Sequence, residues 1–218
     1  FRRLLRKDNM WPIYQQCQNY TEDDLFDVIE LLYDLISKPE EGHYHSYSNC
    51  GWHYSTFDRD AGRNAYRIAV NDLLADYSDG YELSEEGEIL LKGQDGLDQL
   101  LHESLPALDP ENINGRVSAA VLKFRRYHAT PDERRDAIRD LADVLEYLRP
   151  KLAAVITKND ENDLFNLANN FGIRHHNDRQ KTDYDRAVWY SWMFYYYLAT
   201  IHAVTRLIEK HEASVNGD

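Results

Sequence analysis

The stretch AVWYSWMFYYYLATIHAV, residues 187–204, decides the fold of this chain because it carries no charged side chain from end to end. Its length is close to what a helix needs to cross a bilayer. Four tyrosines, two further hydroxyl side chains and a histidine argue against that, because such groups are rare at mid-membrane depth. The pattern predicts a helix buried on nearly every face. We therefore expect no membrane segment and a homodimer contact through the 187–204 helix.

A polar break, FGIRHHNDRQKTDYD at residues 171–185, separates this helix from an amphipathic helix before it. Gly172 suits the end of the first helix, and Thr182 with Asp185 suits the start of the second. A basic cluster lies between these two signals. The candidate catalytic residues are Arg174, His175, His176 and Asn177.

The residue types in this cluster have the chemistry that RNA cleavage without a metal requires. An arginine can hold two phosphate oxygens, and a histidine changes protonation state near neutral pH. A neutral imidazole can take a proton from a 2′-hydroxyl, and a protonated one can give it to the leaving oxygen. The alternative is structural, with solvated turn residues or a histidine pair bonded to helix ends.

The remainder of the C-terminal part is predicted to be helical. LPALDPENING, residues 105–115, combines two prolines with a glycine and marks a domain boundary. After it, Thr130 and Glu133 form a capping box that starts a helix with a proline in its first turn. Acidic and basic residues alternate along that helix and indicate a solvated, salt-bridged face rather than a carboxylate site. We expect two domains, 1–105 and 113–218.

The N-terminal domain is predicted to be a helical module with a small β-hairpin. Thr21 and Asp24 form a cap ahead of an apolar stripe, and a second helix is expected over residues 62–77. GYELSEEGEILL, residues 80–91, has the alternation and central glycine of a hairpin. The fold class is therefore mostly α.

A segment rich in tyrosine and histidine, EGHYHSYSNCGWHYSTFD at residues 41–58, is predicted to be irregular loop or short strand. Its H-x-H and C-x-x-H spacing supplies four potential zinc ligands. These candidate ligands are His43, His45, Cys50 and His53. One alternative is an aromatic loop packed on its domain, with Trp52 and Tyr54 as anchors, and another is a recognition loop that exposes aromatic side chains. A set without a second cysteine pair is more often accidental, so no metal or other cofactor is expected.

Composition narrows the class of protein. The 218 residues have a formal net charge of −13, which argues against non-specific binding of nucleic acid over the whole surface but allows a local basic site. Two cysteines imply no disulfide framework, and we expect a cytoplasmic protein. No Gly-rich phosphate loop, nucleophile elbow or zincin helix motif is present.

The C-terminal half, about residues 115–211, resembles the HEPN domains of bacterial abortive-infection proteins of the AbiJ-like kind. The matching features are the start TPDERRDAI at 130–138 with Leu145-Glu146, the pair Leu164-Phe165, the pair Asn169-Asn170, Gly-Ile-Arg-His at 172–175, and the long helix that follows. The resemblance implies a helical bundle that dimerises. Many such domains are ribonucleases that use an arginine, an adjacent polar residue and, after a short spacer, a histidine.

Carried over to this chain, the resemblance makes Arg174 the motif arginine and His175 the polar residue beside it. The positions expected for the second histidine hold Arg179, Gln180 and Lys181 instead, and His176 is the nearest imidazole. The expected function is a metal-independent endoribonuclease, a toxin-type effector of antiviral defence that acts on RNA as a dimer. The alternative is a non-catalytic module of the same fold that binds nucleic acid, a nucleotide or a protein partner. A third class is a metal protein built around the 43–53 loop.

Overall fold

The computed structural model describes residues 1–77, 80–93, 96–170 and 185–216. They form two compact units, Phe1–Lys92 and Gly93–Asp218, each with its own apolar interior. The structure is mostly helical with short antiparallel strands, as the sequence predicts. The segment 105–115, where the sequence places a domain boundary, lies inside the second unit, because Leu100, Leu101 and Leu105 pack against that unit's core.

Besides two single 3-10 turns, Cys17–Asn19 and Tyr47–Asn49, the first unit contains four α-helices and six strands among its described residues. In chain order they are α1 (Arg2–Leu5), α2 (Ile13–Gln16), α3 (Glu22–Leu35), β1 (Lys38–Pro39), β2 (Gly42–His45), β3 (Gly51–Tyr54), β4 (Phe57–Asp58), α4 (Arg59–Leu74), β5 (Tyr81–Leu83) and β6 (Ile89–Leu91). The predicted capping box starts α3: Thr21 Oγ1 accepts from the Asp24 amide at 3.1 Å, and the Asp24 carboxylate accepts from the Thr21 amide at 3.0 Å.

The predicted hairpin is confirmed as β5 and β6, and side chains from two helices hold it in place. The Asn71 side chain pairs with both backbone groups of Leu83, accepting at 2.6 Å and donating at 3.1 Å. The Glu30 carboxylate accepts from the Ile89 amide at 2.7 Å, and the Tyr33 hydroxyl donates to the Glu85 carbonyl. The hairpin is therefore part of the interior of this unit.

Gly87 in the turn of this hairpin has two requirements that only glycine meets. Its φ is +88°, and a Cβ built there would lie 2.2 Å from the Tyr33 ring. Gly80 provides a matched comparison, since its φ is +82° but the nearest atom to an added Cβ, on Lys92, is 3.4 Å away.

We predict that Gly87→Ala destabilises the first unit more than Gly80→Ala does. Both substitutions place a side chain in the left-handed region, which costs about 1–2 kcal/mol. Only Gly87→Ala also displaces Tyr33, and overpacking of that kind adds about 1–3 kcal/mol. Urea unfolding of the two variants measures the difference, and equal losses would contradict the Tyr33 contact as its cause.

The segment between α3 and α4 is an antiparallel ribbon. β1 pairs with β4 at its base, β2 pairs with β3 at its tip, and backbone hydrogen bonds from Glu40 to Thr56 and from Ser55 to Glu41 connect the two pairs. Trp52 is 59% exposed and Tyr54 is 41% exposed. The packed-loop interpretation with these residues as anchors is therefore wrong, because neither side chain reaches an apolar interior within the unit.

The second unit is a helical bundle with a short helix ahead of it. Its described elements are α5 (Asp98–His102), a π-helical turn (Pro110–Gly115), α6 (Arg116–Arg125), α7 (Pro131–Leu152), α8 (Lys158–Asn170) and α9 (Arg186–Asn216). The capping box predicted for α7 is present, with the Thr130 hydroxyl accepting from the Glu133 amide at 3.2 Å. Pro150 lies in the last turn of α7, and the helix ends two residues later at Leu152.

The core of the bundle lies where α7 packs against both α6 and α9. Phe124 of α6 stacks on Phe194 of α9, with ring centroids 3.9 Å apart and planes 7° from parallel. The fully buried stripe of α7 fills the space between these helices. Its members include Ala137, Ile138, Leu141, Val144, Leu145 and Leu148.

Helix α9 buries one face against this core and exposes another. Phe194 and Tyr197 are buried, whereas Val188 and Trp192 are 63% and 45% exposed. The predicted burial is confirmed for the core face, and contact of the other face with a partner stays a prediction. Among the described residues, no helix combines the length and hydrophobicity that a bilayer crossing requires.

His202 lies on the buried face of α9 and is only 3% exposed. Its Nδ1 is buried and has no hydrogen-bond partner among the described residues. Burial lowers the pKa of His202, Arg206 acts in the same direction, and Glu103 opposes them. The imidazole is therefore held neutral in the folded protein at a pH where the unfolded chain would take up a proton.

We predict that His202→Leu makes the stability of the second unit less dependent on pH. A lowered folded-state pKa means that the unfolded chain binds the proton first, so stability falls as the pH drops below about 6.5. Urea unfolding between about pH 5 and pH 7 should show a flatter profile for His202→Leu. His211→Leu, at an exposed position on the same helix, is the control and should keep the wild-type slope. The same slope in wild type and His202→Leu would contradict this account.

Candidate functional site

The four predicted catalytic residues, Arg174, His175, His176 and Asn177, lie outside the described residues, as does the predicted cap residue Thr182. They belong to the connection between α8 and α9. As described, α9 begins at Arg186, and Asp185 is its cap: Asp185 Oδ1 accepts from the amides of Ala187 at 3.0 Å and Val188 at 3.2 Å. The first described helix after the predicted motif is therefore α9, which begins at Arg186.

A pocket of about 180 Å³ opens at this first turn. Residues before and within the first turn of α7 form one side, and the start of α9 forms the other. The lining residues are Ala129, Pro131, Arg134, Arg186, Ala187 and Tyr190. Two guanidinium groups from different helices thus border one small cavity.

The two arginines are held in different ways. Arg134 is half-buried, its guanidinium carbon lies 5.7 Å from the centre of the Phe124 ring, and its Nε is buried without a hydrogen-bond partner among the described residues. Arg186 is exposed. Packing on the aromatic ring limits the motion of Arg134, whereas Arg186 is free to adjust to a ligand.

The electrostatics of the pocket favour an anion at the arginines rather than at the backbone amides. The helix dipoles place partial positive charge at the starts of α7 and α9. Carboxylates already occupy part of both ends, since Glu133 and Asp185 accept hydrogen bonds there, and the bonds from Thr130 lower the pKa of Glu133. An incoming phosphate would therefore bind chiefly to the guanidinium groups, which can each donate two parallel hydrogen bonds to it.

The sequence analysis does not predict this pocket, although the positions of its two arginines in the chain are unusual. Arg186 and Arg134 lie in or next to the first turns of their helices, where a cation opposes the helix dipole. Such placement is unfavourable for stability alone. Both side chains nevertheless line the same pocket.

The acidic and basic face of α7 is a salt-bridged surface, as the sequence predicts. Arg139 lies 3.4 Å from Asp136, and Lys123 of α6 lies 2.5 Å from Asp140. These carboxylates have cationic neighbours and are partly exposed, so they do not form a general acid and base pair.

The ribbon tip brings together three of the four candidate metal ligands. The nitrogen or sulfur ligand atoms of His45, Cys50 and His53 all lie within 4.8 Å of one another, and all three residues are exposed. His43 is not part of this group, but its ring stacks on His53 with centroids 5.6 Å apart. Both cysteines of the chain, Cys17 and Cys50, are free and exposed.

The ribbon has two chemically different faces. His43 pairs with His53 across the strands, and Tyr44 pairs with Trp52. Because side chains alternate along a strand, the histidines lie on one face and the aromatic side chains on the other. Trp52 stacks on Tyr54 with centroids 5.9 Å apart, so the second face is a small, exposed aromatic surface.

No family model, curated protein or solved structure that was compared with this chain matches it.

Proposed function

We propose that the second unit is a HEPN-like effector that binds RNA and cleaves it without a metal. The observation that carries this proposal is the pocket between Arg134 and Arg186, which lies at the start of α9. The chain that leads into α9 carries Arg174, His175 and His176. Arg186 thus follows these residues in the chain, and cleavage of a phosphodiester requires both phosphate-binding groups and proton-transfer groups.

In the proposed reaction Arg174 binds the scissile phosphate. One neutral imidazole of the His175–His176 pair takes the proton of the ribose 2′-hydroxyl, and the oxygen then attacks the phosphorus. The bond from phosphorus to the 5′-oxygen breaks, and a protonated imidazole gives that oxygen its proton. The products are a 2′,3′-cyclic phosphate and a 5′-hydroxyl. Arg134 and Arg186 hold a neighbouring phosphate and so fix the register of the strand.

The exposed face of α9 supports the dimer that this proposal includes. One face of α9 has the three- and four-residue spacing of a coiled-coil seam, and each of its residues is at least partly exposed. These residues are Trp189, Trp192, Tyr196, Ala199 and Ala203. Large aromatic side chains occupy the first half of the seam and alanines the second. A second copy of the same helix is the occupant we propose. A two-fold axis near Trp189 and Trp192 would place the first turns of both α9 helices in one interface.

We predict that Arg174→Ala and His176→Ala abolish RNA cleavage by the purified protein, because they remove the phosphate ligand and a proton carrier. The wild type should cleave equally well with a chelator present, since no metal takes part. Arg139→Ala is the matched control, because Arg139 is a partly exposed arginine of α7 that pairs with Asp136. Intact RNA after incubation with concentrated wild type would exclude a constitutive nuclease.

Binding tests the pocket separately from cleavage. Arg134→Ala and Arg186→Ala should each weaken binding of a single-stranded RNA and lower the slope of log affinity against log salt by about 0.7, the value for one lost phosphate contact. The Arg139→Ala control should keep the wild-type slope. Unchanged slopes in both pocket variants would remove the pocket from the proposal.

We predict that Trp192→Ala weakens the dimer by roughly 30-fold or more, as expected for a central tryptophan at an interface. Val215→Ala, at an exposed position near the other end of α9, should leave association unchanged. Sedimentation velocity over a concentration series measures both. A wild type that stays monomeric throughout the series would contradict the proposed interface.

A second function, a binding module without catalysis, is favoured by two observations. The positions where the resemblance expects a second histidine hold Arg179, Gln180 and Lys181. The aromatic face of the ribbon, with Trp52 exposed, is a surface on which bases or a partner protein can stack. RNA that is bound but not cut by the wild type would support the binding module.

A further inference from the structure

We propose that the ribbon tip is a binding site for a zinc-class metal ion, with His45, Cys50 and His53 as its protein ligands. This site belongs to the first unit and does not depend on the proposed action on RNA. Its basis is the grouping of three potential ligand atoms within 4.8 Å of one another at the end of an exposed two-stranded ribbon.

Strand register places the two histidines on the same face. His53 is directly opposite His43, and His45 is two residues further along β2, so His45 and His53 are diagonal neighbours. Their ring centroids are 5.7 Å apart and their planes are 84° from parallel. The two rings are thus nearly perpendicular, and one nitrogen of each lies within 4.8 Å of the other and of the Cys50 sulfur.

The turn at the tip brings the thiol to the same space. Tyr47–Asn49 form a single 3-10 turn, and the Cys50 amide donates to the Tyr47 carbonyl at 3.2 Å. Ser48 and Asn49 both have positive φ, at 52° and 63°. This backbone is unfavourable for serine, and it folds the chain so that Cys50 returns beside the histidines.

The donor set identifies the class of ion. Bond lengths of about 2.3 Å to sulfur and 2.0–2.1 Å to nitrogen separate the ligand atoms of a tetrahedral zinc site by roughly 3.3–3.6 Å. The three side chains are exposed, so small rotations about their χ angles can close the remaining gap. One thiolate with two imidazoles suits zinc and related borderline ions and excludes magnesium and calcium, which require oxygen ligands.

Three protein ligands leave one coordination position, which water fills in the proposed site. His43 supports the site without binding the ion, because its ring lies against the ring of His53 with planes 19° apart. Binding of the ion to the Cys50 thiolate releases the thiol proton to solvent. Affinity should therefore rise with pH, since the thiol and both imidazoles must be deprotonated.

Apolar burial provides little support for the ribbon tip. No side chain of β2 or β3 is fully buried, and an isolated two-stranded hairpin is marginally stable in water. A metal ion that links both strands to the turn would supply the constraint that a core supplies elsewhere.

The test uses the full chain, stripped of metal and kept reduced, and titrated with zinc against a chromophoric chelator. We expect one ion per chain, and with cobalt(II) a thiolate-to-metal charge-transfer band. Cys50→Ser, His45→Gln and His53→Gln should each weaken binding by more than the roughly 10- to 100-fold that loss of a supporting contact costs. His43→Gln should retain one ion per chain, and its failure to do so would overturn the three-ligand assignment.

Two controls make the result specific to the ribbon tip. Cys17→Ser removes the other exposed thiol, and His128→Gln removes an exposed imidazole of the second unit, so both should bind zinc as wild type does. Bound zinc should also protect Cys50, but not Cys17, from alkylation. Absence of zinc uptake by wild type, or equal losses in Cys17→Ser and Cys50→Ser, would overturn the proposal whatever the protein does to RNA.

Discussion

Burial of the aromatic face of α9 against α6 and α7 is the interaction on which the second unit depends. Phe194 of α9 stacks on Phe124 of α6, and the apolar stripe of α7 closes the remaining space. This packing fixes the rotation of α9 about its axis. Once Phe194 and Tyr197 are buried, Trp192 must lie toward solvent. The same packing places Arg186, in the first turn of α9, at the pocket that Arg134 also lines. The proposed dimer surface and the arginine pocket are thus consequences of one packing arrangement.

The parts of the fold that the sequence predicts are those set by local interactions. The capping boxes at Thr21 and Thr130 satisfy backbone amides within three residues, and the hairpin at 81–91 has its turn glycine and alternating strands in one short stretch. Pro150 marks the end of α7 only to within two residues, since the helix continues to Leu152. The site is harder to predict, because Arg134 and Arg186 meet only through the packing of α7 and α9.

The ribbon was ambiguous in sequence for a related reason. Its strands are short, and the pairing of β1 with β4 closes a long loop that local propensity does not encode. Once that pairing is set, alternation along the strands assigns every side chain of the tip to a face. The spacing H-x-H and C-x-x-H therefore does not by itself show which side chains lie together. Strand register brings His45 and His53 to one face, and the turn brings Cys50 beside them.

The two faces of the ribbon are coupled by the same alternation. His53 lies between Trp52 and Tyr54 in β3, so an ion that holds the imidazole of His53 also restricts the backbone that presents the two aromatic rings. Recognition by stacking gains affinity when the rings are ordered before the ligand arrives, because less conformational entropy is then lost on binding. A metal on the histidine face would thus order the aromatic face without contacting it. Metal occupancy of the histidine face and ligand affinity at the aromatic face are then linked. By reciprocity, a ligand stacked on Trp52 would raise the affinity of the histidine face for the ion.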